Sequence, residues 1–230
     1  CTEVERREEW LDGCRSCVGF LRRHGFDADG RMFFAVTRDG RPLRKRRYVF
    51  SEMFAAMALA AWGAAAGDEA SAREALELFE RACARLERPG GIEPKLVTAT
   101  RATASFSGPM IVLGTAQALR AALAHLGGAL GDARGALDAR IDGAIDTIRT
   151  RFVRPELEAV LETVRADGET FLDHADGRLV NPGHAIEGAW FVMEEGRQRG
   201  DRELVELGAT MLRWTWRLGW DRECGGILYF

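Results

Sequence analysis

The chain has 230 residues, of which 47% are hydrophobic and 29% are charged, and its formal net charge at pH 7 is -3. This length and apolar content are enough for one or two domains with a sizeable core. A slightly acidic chain with interspersed charges lacks the basic surface of a nucleic-acid-binding protein, and no apolar run approaches the roughly 18 residues of a membrane span. The sequence therefore predicts neither a nucleic-acid partner nor a membrane partner.

The cysteines and the first residues bear on the cellular compartment. The five cysteines are odd in number and scattered, which suits reduced thiols. The first segment is charged and helical in character, unlike a signal peptide. Both features predict a cytoplasmic protein.

Seven stretches rich in Ala and Leu have apolar residues at the spacing of an α-helix. Gly or Pro follows most of their ends, as expected where a helix stops. The predicted helices span residues 2–23, 48–66, 69–86, 109–126, 132–152, 182–199 and 201–218.

Short strand-like runs lie beside Asp-Gly pairs. Residues 31–36 precede Asp39-Gly40, and residues 157–164 precede Asp167-Gly168. Asp-Gly is a common turn between antiparallel strands, so we expect two small hairpins.

A weak internal repeat follows two of the helices. Gly25-Phe26-Asp27, Gly30 and Phe33-Phe34 in one loop are echoed by Gly219-Trp220-Asp221, Gly225-Gly226 and Tyr229-Phe230 in the other. Helix pairs separated by similar loops are typical of a repeated αα unit that closes into a ring or stacks as a solenoid. In such an architecture, functional groups lie on the loops and helix ends at one rim.

The segment NPGHAIEGAW at 181–190 is the strongest candidate site. Asn181 suits the N-cap and Pro182 the first helical position. His184 then lies in the first turn, where the helix dipole disfavours imidazolium and predicts a neutral base near pH 7. Glu187 and Trp190 follow on the same face, so a base, a carboxylate and an indole form a candidate carbohydrate site. A capping histidine, a solvated glutamate and a core tryptophan fit the same spacing.

Other motifs point to ordinary structural roles. The basic run at 41–47 stands alone, and we interpret it as a solvated turn with one arginine facing Glu52. Cys14 and Cys17 form a single CxxC pair without a second pair or a histidine at zinc-finger spacing, so no metal site is predicted. A phosphate-binding loop of the P-loop type is absent from the sequence.

Three segments carry a family resemblance: RKRRYVFSEMFAA at 44–56, NPGHAIEGAWF at 181–191 and GWDRECGGILYF at 219–230. They resemble the N-acylglucosamine 2-epimerase family, also called renin-binding protein, in the same order across nearly the whole chain. The resemblance implies an all-α fold, an (α/α)₆ barrel with short β-hairpins at one rim. Residues 1–230 would form the central part of a single catalytic domain, incomplete at both ends.

The resemblance also implies a mechanism in which two histidines invert the carbon next to a sugar carbonyl without a metal or cofactor. His184 is similar to one of that pair, Glu187 would act with it, and Trp190 and Glu52 would bind the sugar. The second histidine and two further family motifs, an early arginine and a Trp-Trp-Pro segment with its glutamate, would lie outside residues 1–230. We therefore expect the chain alone to be inactive as an epimerase and poorly soluble or oligomeric. A homodimer of the full-length protein is left open.

Related branches share an Asn-Met-His at the start of a middle helix, where this chain has Gly108-Pro109-Met110. That departure favours N-acylglucosamine and N-acylmannosamine as the interconverted sugars. The alternatives are an aldose–ketose isomerase or a cellobiose 2-epimerase on the same fold, and a non-catalytic helical binding module.

Overall fold

The computed structural model describes residues 7–88, 90–93, 97–99, 101–126 and 131–228. The first helix is predicted to begin at Thr2, so its first residues lie outside the described ranges. Tyr229-Phe230, which end the second copy of the repeat, lie wholly outside them. The chain divides into two compact units: residues 1–93 with 115–138, and residues 94–114 with 139–230. They are called the first and the second unit below.

Seven α-helices within the described residues match the seven predicted helices. Their bounds are α1 Glu8–His24, α2 Phe50–Ala66, α3 Glu69–Glu87, α4 Ser107–Ala124, α5 Gly131–Thr147, α6 Pro182–Arg199 and α7 Arg202–Gly219. The turn Ile148–Phe152 continues α5 in π-helical form, so the end predicted at residue 152 is also confirmed. The match is close because the helix ends carry explicit stop and cap residues.

Helix pairs are joined by tight connections in both units. In the first unit, α2 ends at Gly67 with φ +67°, and Asp68 then caps α3 by accepting from the backbone N–H groups of its first turn. In the second unit, Gly200 has φ +68° and Asp201 caps α7 in the same way. A left-handed glycine followed by an acidic cap reverses the chain within two residues, so the two helices of each pair pack side by side.

Alanine and branched aliphatic side chains fill the space between the paired helices. The buried core of the α2–α3 pair includes Met53, Ala56, Leu59, Ala60, Ala72, Ala75, Leu78 and Phe79. That of the α6–α7 pair includes Ala185, Ala189, Val192, Leu204 and Met211. At Gly208 an added Cβ would lie 2.6 Å from the carbonyl oxygen of Ala189, so only glycine permits this approach of α7 to α6.

The strands form three two-stranded sheets within the described residues. The first hairpin is confirmed: β1 (Phe33–Val36) pairs antiparallel with β2 (Pro42–Lys45) across the predicted Asp39-Gly40 turn. The basic run is therefore an exposed edge strand rather than only a turn. The second prediction is wrong in its pairing. Its residues separate into β5 (Ala159–Val160), which pairs with β4 (Val153–Arg154), and β6 (Thr163–Arg165), which pairs with β3 (Thr103–Ser105).

The reason for this difference lies after β6. Arg165 and Glu169 close a turn through one backbone hydrogen bond, but the chain that follows forms no strand. The predicted turn at Asp167-Gly168 is therefore confirmed. The long-range partner of β6, 58 residues or more away in sequence, has no signal in local patterning.

The predicted internal repeat has a structural counterpart. Phe26 and Met32 form an isolated antiparallel bridge after α1, and Trp220 and Ile227 form one after α7. A glycine inside each loop takes nearly the same left-handed conformation: φ is +76° at Gly30 and +75° at Gly225. The two loops therefore share an isolated bridge and a left-handed glycine as well as a sequence pattern.

A buried ion pair fixes the loop of the first copy. Arg31 Nε donates to Glu52 Oε1 at 2.5 Å, and Arg31 Nη2 donates to the carbonyl of Tyr48 at 2.7 Å. Glu52 is only 3% exposed, and its same oxygen also accepts from the backbone N–H of Met32 at 3.1 Å. The arginine that binds Glu52 is thus Arg31 and not an arginine of the 41–47 run, whose strand Pro42–Lys45 is exposed.

Glu52→Gln is expected to destabilise the chain by about 3–5 kcal/mol, because it leaves the Arg31 charge buried without its counter-ion. Urea unfolding followed by circular dichroism measures this loss. Glu69→Gln is the matched control, since its pair with Arg73 is exposed and such pairs contribute less than about 1 kcal/mol. Equal losses in the two variants would contradict the role assigned to the buried pair.

Candidate active site

The N-terminus of α6 has the predicted geometry. Asn181 adopts an extended backbone conformation, and its Oδ1 accepts from the backbone N–H of His184 at 3.2 Å. Pro182 occupies the first helical position. The cap satisfies one of the N–H groups left free at a helix start, and this fixes His184 in the first turn.

One face of α6 carries all three residues that the sequence placed there. The buried positions of the helix are Pro182, Ala185, Gly188, Ala189, Val192, Glu195 and Gly196. His184 is 37% exposed at its side chain, Glu187 is exposed, and Trp190 is 58% exposed, with its ring 5.0 Å from that of Phe191. Trp190 is therefore not a core residue in the second unit. The alternative interpretation of Trp190 as a core tryptophan does not hold there.

A carboxylate that the sequence analysis did not single out lies against His184. Glu162 Oε2 is 2.9 Å from His184 Nδ1, and Glu162 Oε1 accepts from Ser105 Oγ at 2.8 Å. The Glu162 side chain is 10% exposed. The available signal was its position in the apolar run Ala-Val-Leu-Glu-Thr-Val at 159–164, since a charged residue is seldom buried there without a partner.

The backbone of Glu162 is held from two sides. Its N–H donates to the carbonyl of Leu179 at 2.9 Å, and its carbonyl accepts from the N–H of Phe106 at 2.9 Å. The ring of Phe106 packs against α6 at Gly188, where an added Cβ would lie 2.5 Å from Phe106 Cζ. The segment before α4, the 162 region and α6 are therefore locked together around His184.

This geometry selects one form of the imidazole ring. Asn181 Nδ2 lies 3.1 Å from His184 Nδ1, and the Glu162 carboxylate approaches the same nitrogen at 2.9 Å. A carboxylate is the stronger partner because its hydrogen bonds are charge-assisted. We therefore assign a proton to Nδ1, so that in the neutral form of the ring the lone pair is on Nε2. A base oriented in this way is suited to taking a proton from a carbon acid.

The fourth predicted site residue, Glu52, belongs to the first unit. Its carboxylate binds Arg31 and the backbone of Met32, as described above. Glu52 Oε2 is buried and has no hydrogen-bond partner among the described residues. A sugar-binding role for Glu52 stays a prediction.

The described ranges hold neither a metal-binding cluster nor a membrane-spanning helix. No group of three or more His, Cys, Asp and Glu side chains there could hold a metal ion. No helix there is long and apolar enough to cross a membrane.

A mainly helical fold that presents an oriented histidine on a helix start defines a class of candidate acid–base enzymes. Residues 1–230 match the model of the N-acylglucosamine 2-epimerase (GlcNAc 2-epimerase) family. The chain belongs to this family of carbohydrate epimerases, as the resemblance predicted.

Relatives with curated names agree with this assignment. The chain is 33% identical over 229 residues to the N-acylglucosamine 2-epimerase of Bos taurus and 29% identical over 229 residues to that of Homo sapiens. Each match covers 98% of this chain and 52% of the relative. The chain thus spans about half the length of the curated relatives it matches.

Solved structures confirm the fold class. The cellobiose 2-epimerase from Bacillus thermoamylovorans superposes with a TM-score of 0.77 at 16% identity, over 97% of this chain and 58% of its own. A D-mannose isomerase superposes with a TM-score of 0.72 at 11% identity, over 98% and 59%. The chain is therefore mainly helical with short two-stranded sheets and corresponds to a part of the (α/α)₆ fold.

Proposed function

We propose that the full-length protein is a sugar 2-epimerase that interconverts N-acylglucosamine and N-acylmannosamine, and that this chain supplies one of its two acid–base histidines. Residues 1–230 are then part of a single catalytic domain. The observation that carries the proposal is the contact of Glu162 with Nδ1 of His184, which gives an exposed helix-start histidine the form of a base. Membership of the family supports the choice of a sugar substrate.

The proposed reaction begins at the carbon next to the sugar carbonyl. His184 Nε2 takes the proton from C2 of the open-chain sugar. The C2–H electron pair becomes the C1–C2 double bond, and the carbonyl π pair moves to O1, which gives an enolate whose C2 carries the acylamino group. A second histidine, from the remainder of the full-length protein, returns a proton to the opposite face of C2. The carbonyl then re-forms with C2 inverted.

Glu187 and Trp190 have binding roles in this proposal. Glu187 lies one turn beyond His184 on the same accessible face, where its carboxylate can accept from sugar hydroxyl groups or position the histidine. The exposed ring of Trp190 offers an apolar surface to a pyranose face. Neither role needs a metal or a cofactor.

The test is product analysis by proton NMR in D₂O with full-length protein and N-acetylglucosamine. We expect N-acetylmannosamine that carries deuterium at C2, because the incoming proton exchanges with solvent. In a parallel assay with mannose, conversion to a ketose without turnover of N-acetylglucosamine would replace the proposal with an aldose–ketose isomerase. Turnover of cellobiose alone would replace it with a cellobiose 2-epimerase. Absence of turnover on all these sugars would favour a binding module.

A further inference from the structure

The first unit contains a cavity of about 300 Å³ whose lining includes Glu52 but none of the α6 residues of the candidate active site. Arg81 and Arg85 from the C-terminal half of α3, and Arg88 directly after the helix, form one wall. Asp29, Arg31 and Glu52 contribute to the rest of the lining together with apolar residues. The cavity is at the lower end of the range of small-molecule sites, which is about 300–1,000 Å³.

The three arginines of the lining are uncompensated. Arg81 and Arg85 are one turn apart on α3, and Arg88 is the residue that follows the helix. Within the described residues, none of their side chains makes a hydrogen bond or an ion pair, and Arg85 Nε is buried without a partner. A buried donor with no acceptor costs free energy that a bound ligand would recover.

The two acidic groups of the lining are already engaged by other cations. Glu52 binds Arg31 at 2.5 Å, and Asp29 binds Lys45 at 2.7 Å. The hydrogen bond from Lys45 also holds the pKa of the Asp29 carboxyl below its usual value. The end of α3 adds a partial charge of about -0.5 from its free carbonyls, which does not offset three guanidinium groups. The cavity is therefore electropositive.

We propose that this cavity binds a phosphate-bearing small molecule through Arg81, Arg85 and Arg88. The planar guanidinium group presents paired N–H donors that match two phosphate oxygens, and its charge persists at every physiological pH. The volume accommodates a phosphate group with a few attached carbon atoms. The three arginines are not among the residues of the epimerase proposal, and the cavity uses no residue of α6, so failure of the phosphate test leaves the epimerase proposal standing.

The test uses inorganic phosphate as the probe and the full-length protein, which contains this chain. Isothermal titration calorimetry at constant ionic strength, set with chloride, should show saturable binding of phosphate. Arg85→Met should weaken the affinity at least tenfold, and Arg81→Met with Arg88→Met should do the same. Circular dichroism establishes whether each variant is folded. If one of the two variants does not fold, the other still tests the proposal.

Arg38→Met is the matched control, since Arg38 is an exposed arginine of the same unit that does not line the cavity. Its phosphate affinity should equal that of the parent protein. The proposal is overturned if the parent protein binds no phosphate at millimolar concentration. It is also overturned if Arg38→Met weakens binding as much as Arg85→Met, because phosphate would then be responding only to overall charge.

Discussion

In the full-length protein, His184→Ala is expected to lower kcat by about 10²–10⁴-fold, the usual contribution of a general acid–base group. Under the proposed mechanism, the substitution removes the imidazole that takes the C2 proton and leaves the proposed sugar-binding residues Glu187 and Trp190 in place. KM should therefore change much less than kcat. Steady-state kinetics with N-acetylglucosamine, read out by NMR, separates the two parameters.

The control for this variant is His125→Ala, which removes an exposed histidine that follows α4. Its kcat should equal that of the parent protein. If His184→Ala retains most of its kcat, then His184 is not the base, and the NPGHAIE segment has a structural role.

Glu162→Gln is expected to produce a second large loss of turnover. The glutamine amide keeps the size of the side chain but removes the charge, and it can turn its NH₂ group toward Nδ1 of His184. The ring then carries its proton on Nε2, the nitrogen that must accept the C2 proton. Replacing the orienting carboxylate of a Ser–His–Asp triad by an amide costs about 10⁴-fold in kcat for this reason. We expect a loss of up to about that size with little change in KM.

A spectroscopic measurement distinguishes this positioning role from a purely structural one. The ¹⁵N chemical shifts of the His184 ring report which nitrogen is protonated, and they should interchange between the parent protein and Glu162→Gln. Glu156→Gln is the matched control, because Glu156 is exposed in the same segment of the chain. If Glu162→Gln alters neither the ring shifts nor kcat, the contact between Glu162 and His184 has no catalytic consequence.

Much of the fold was predictable because its signals are local. Helix α6 begins with Asn181 and Pro182 and ends before Gly200, and these residues fix the ends regardless of what packs against the helix. The same holds for the hairpin of β1 and β2, whose strands are joined by an Asp-Gly turn. The pairing of β6 with β3 was not predictable, because it joins segments about 60 residues apart.

The same distinction between local and long-range signals applies to the candidate site. Periodicity alone placed His184, Glu187 and Trp190 on one face of a helix, since residues three apart on a helix are neighbours in space. Spacing could not show whether that face is buried, and the second unit leaves all three accessible. The exposure of Trp190 in particular required the packing of α7 and of the segment before α4 to be known.

By itself, the sequence determined the helices, their caps, the repeated loop and the helix-start histidine, because each depends on residues a few positions apart. Only the tertiary structure decided which charged side chains contact each other. Glu162 is 22 positions before His184, and Arg31 is 21 positions before Glu52, so neither pair lies within one helix or strand. A buried charge requires a partner, but local patterning does not specify which of many candidates supplies it. The folded chain brings each pair within hydrogen-bonding distance, and this gives His184 its orientation and Glu52 its structural role.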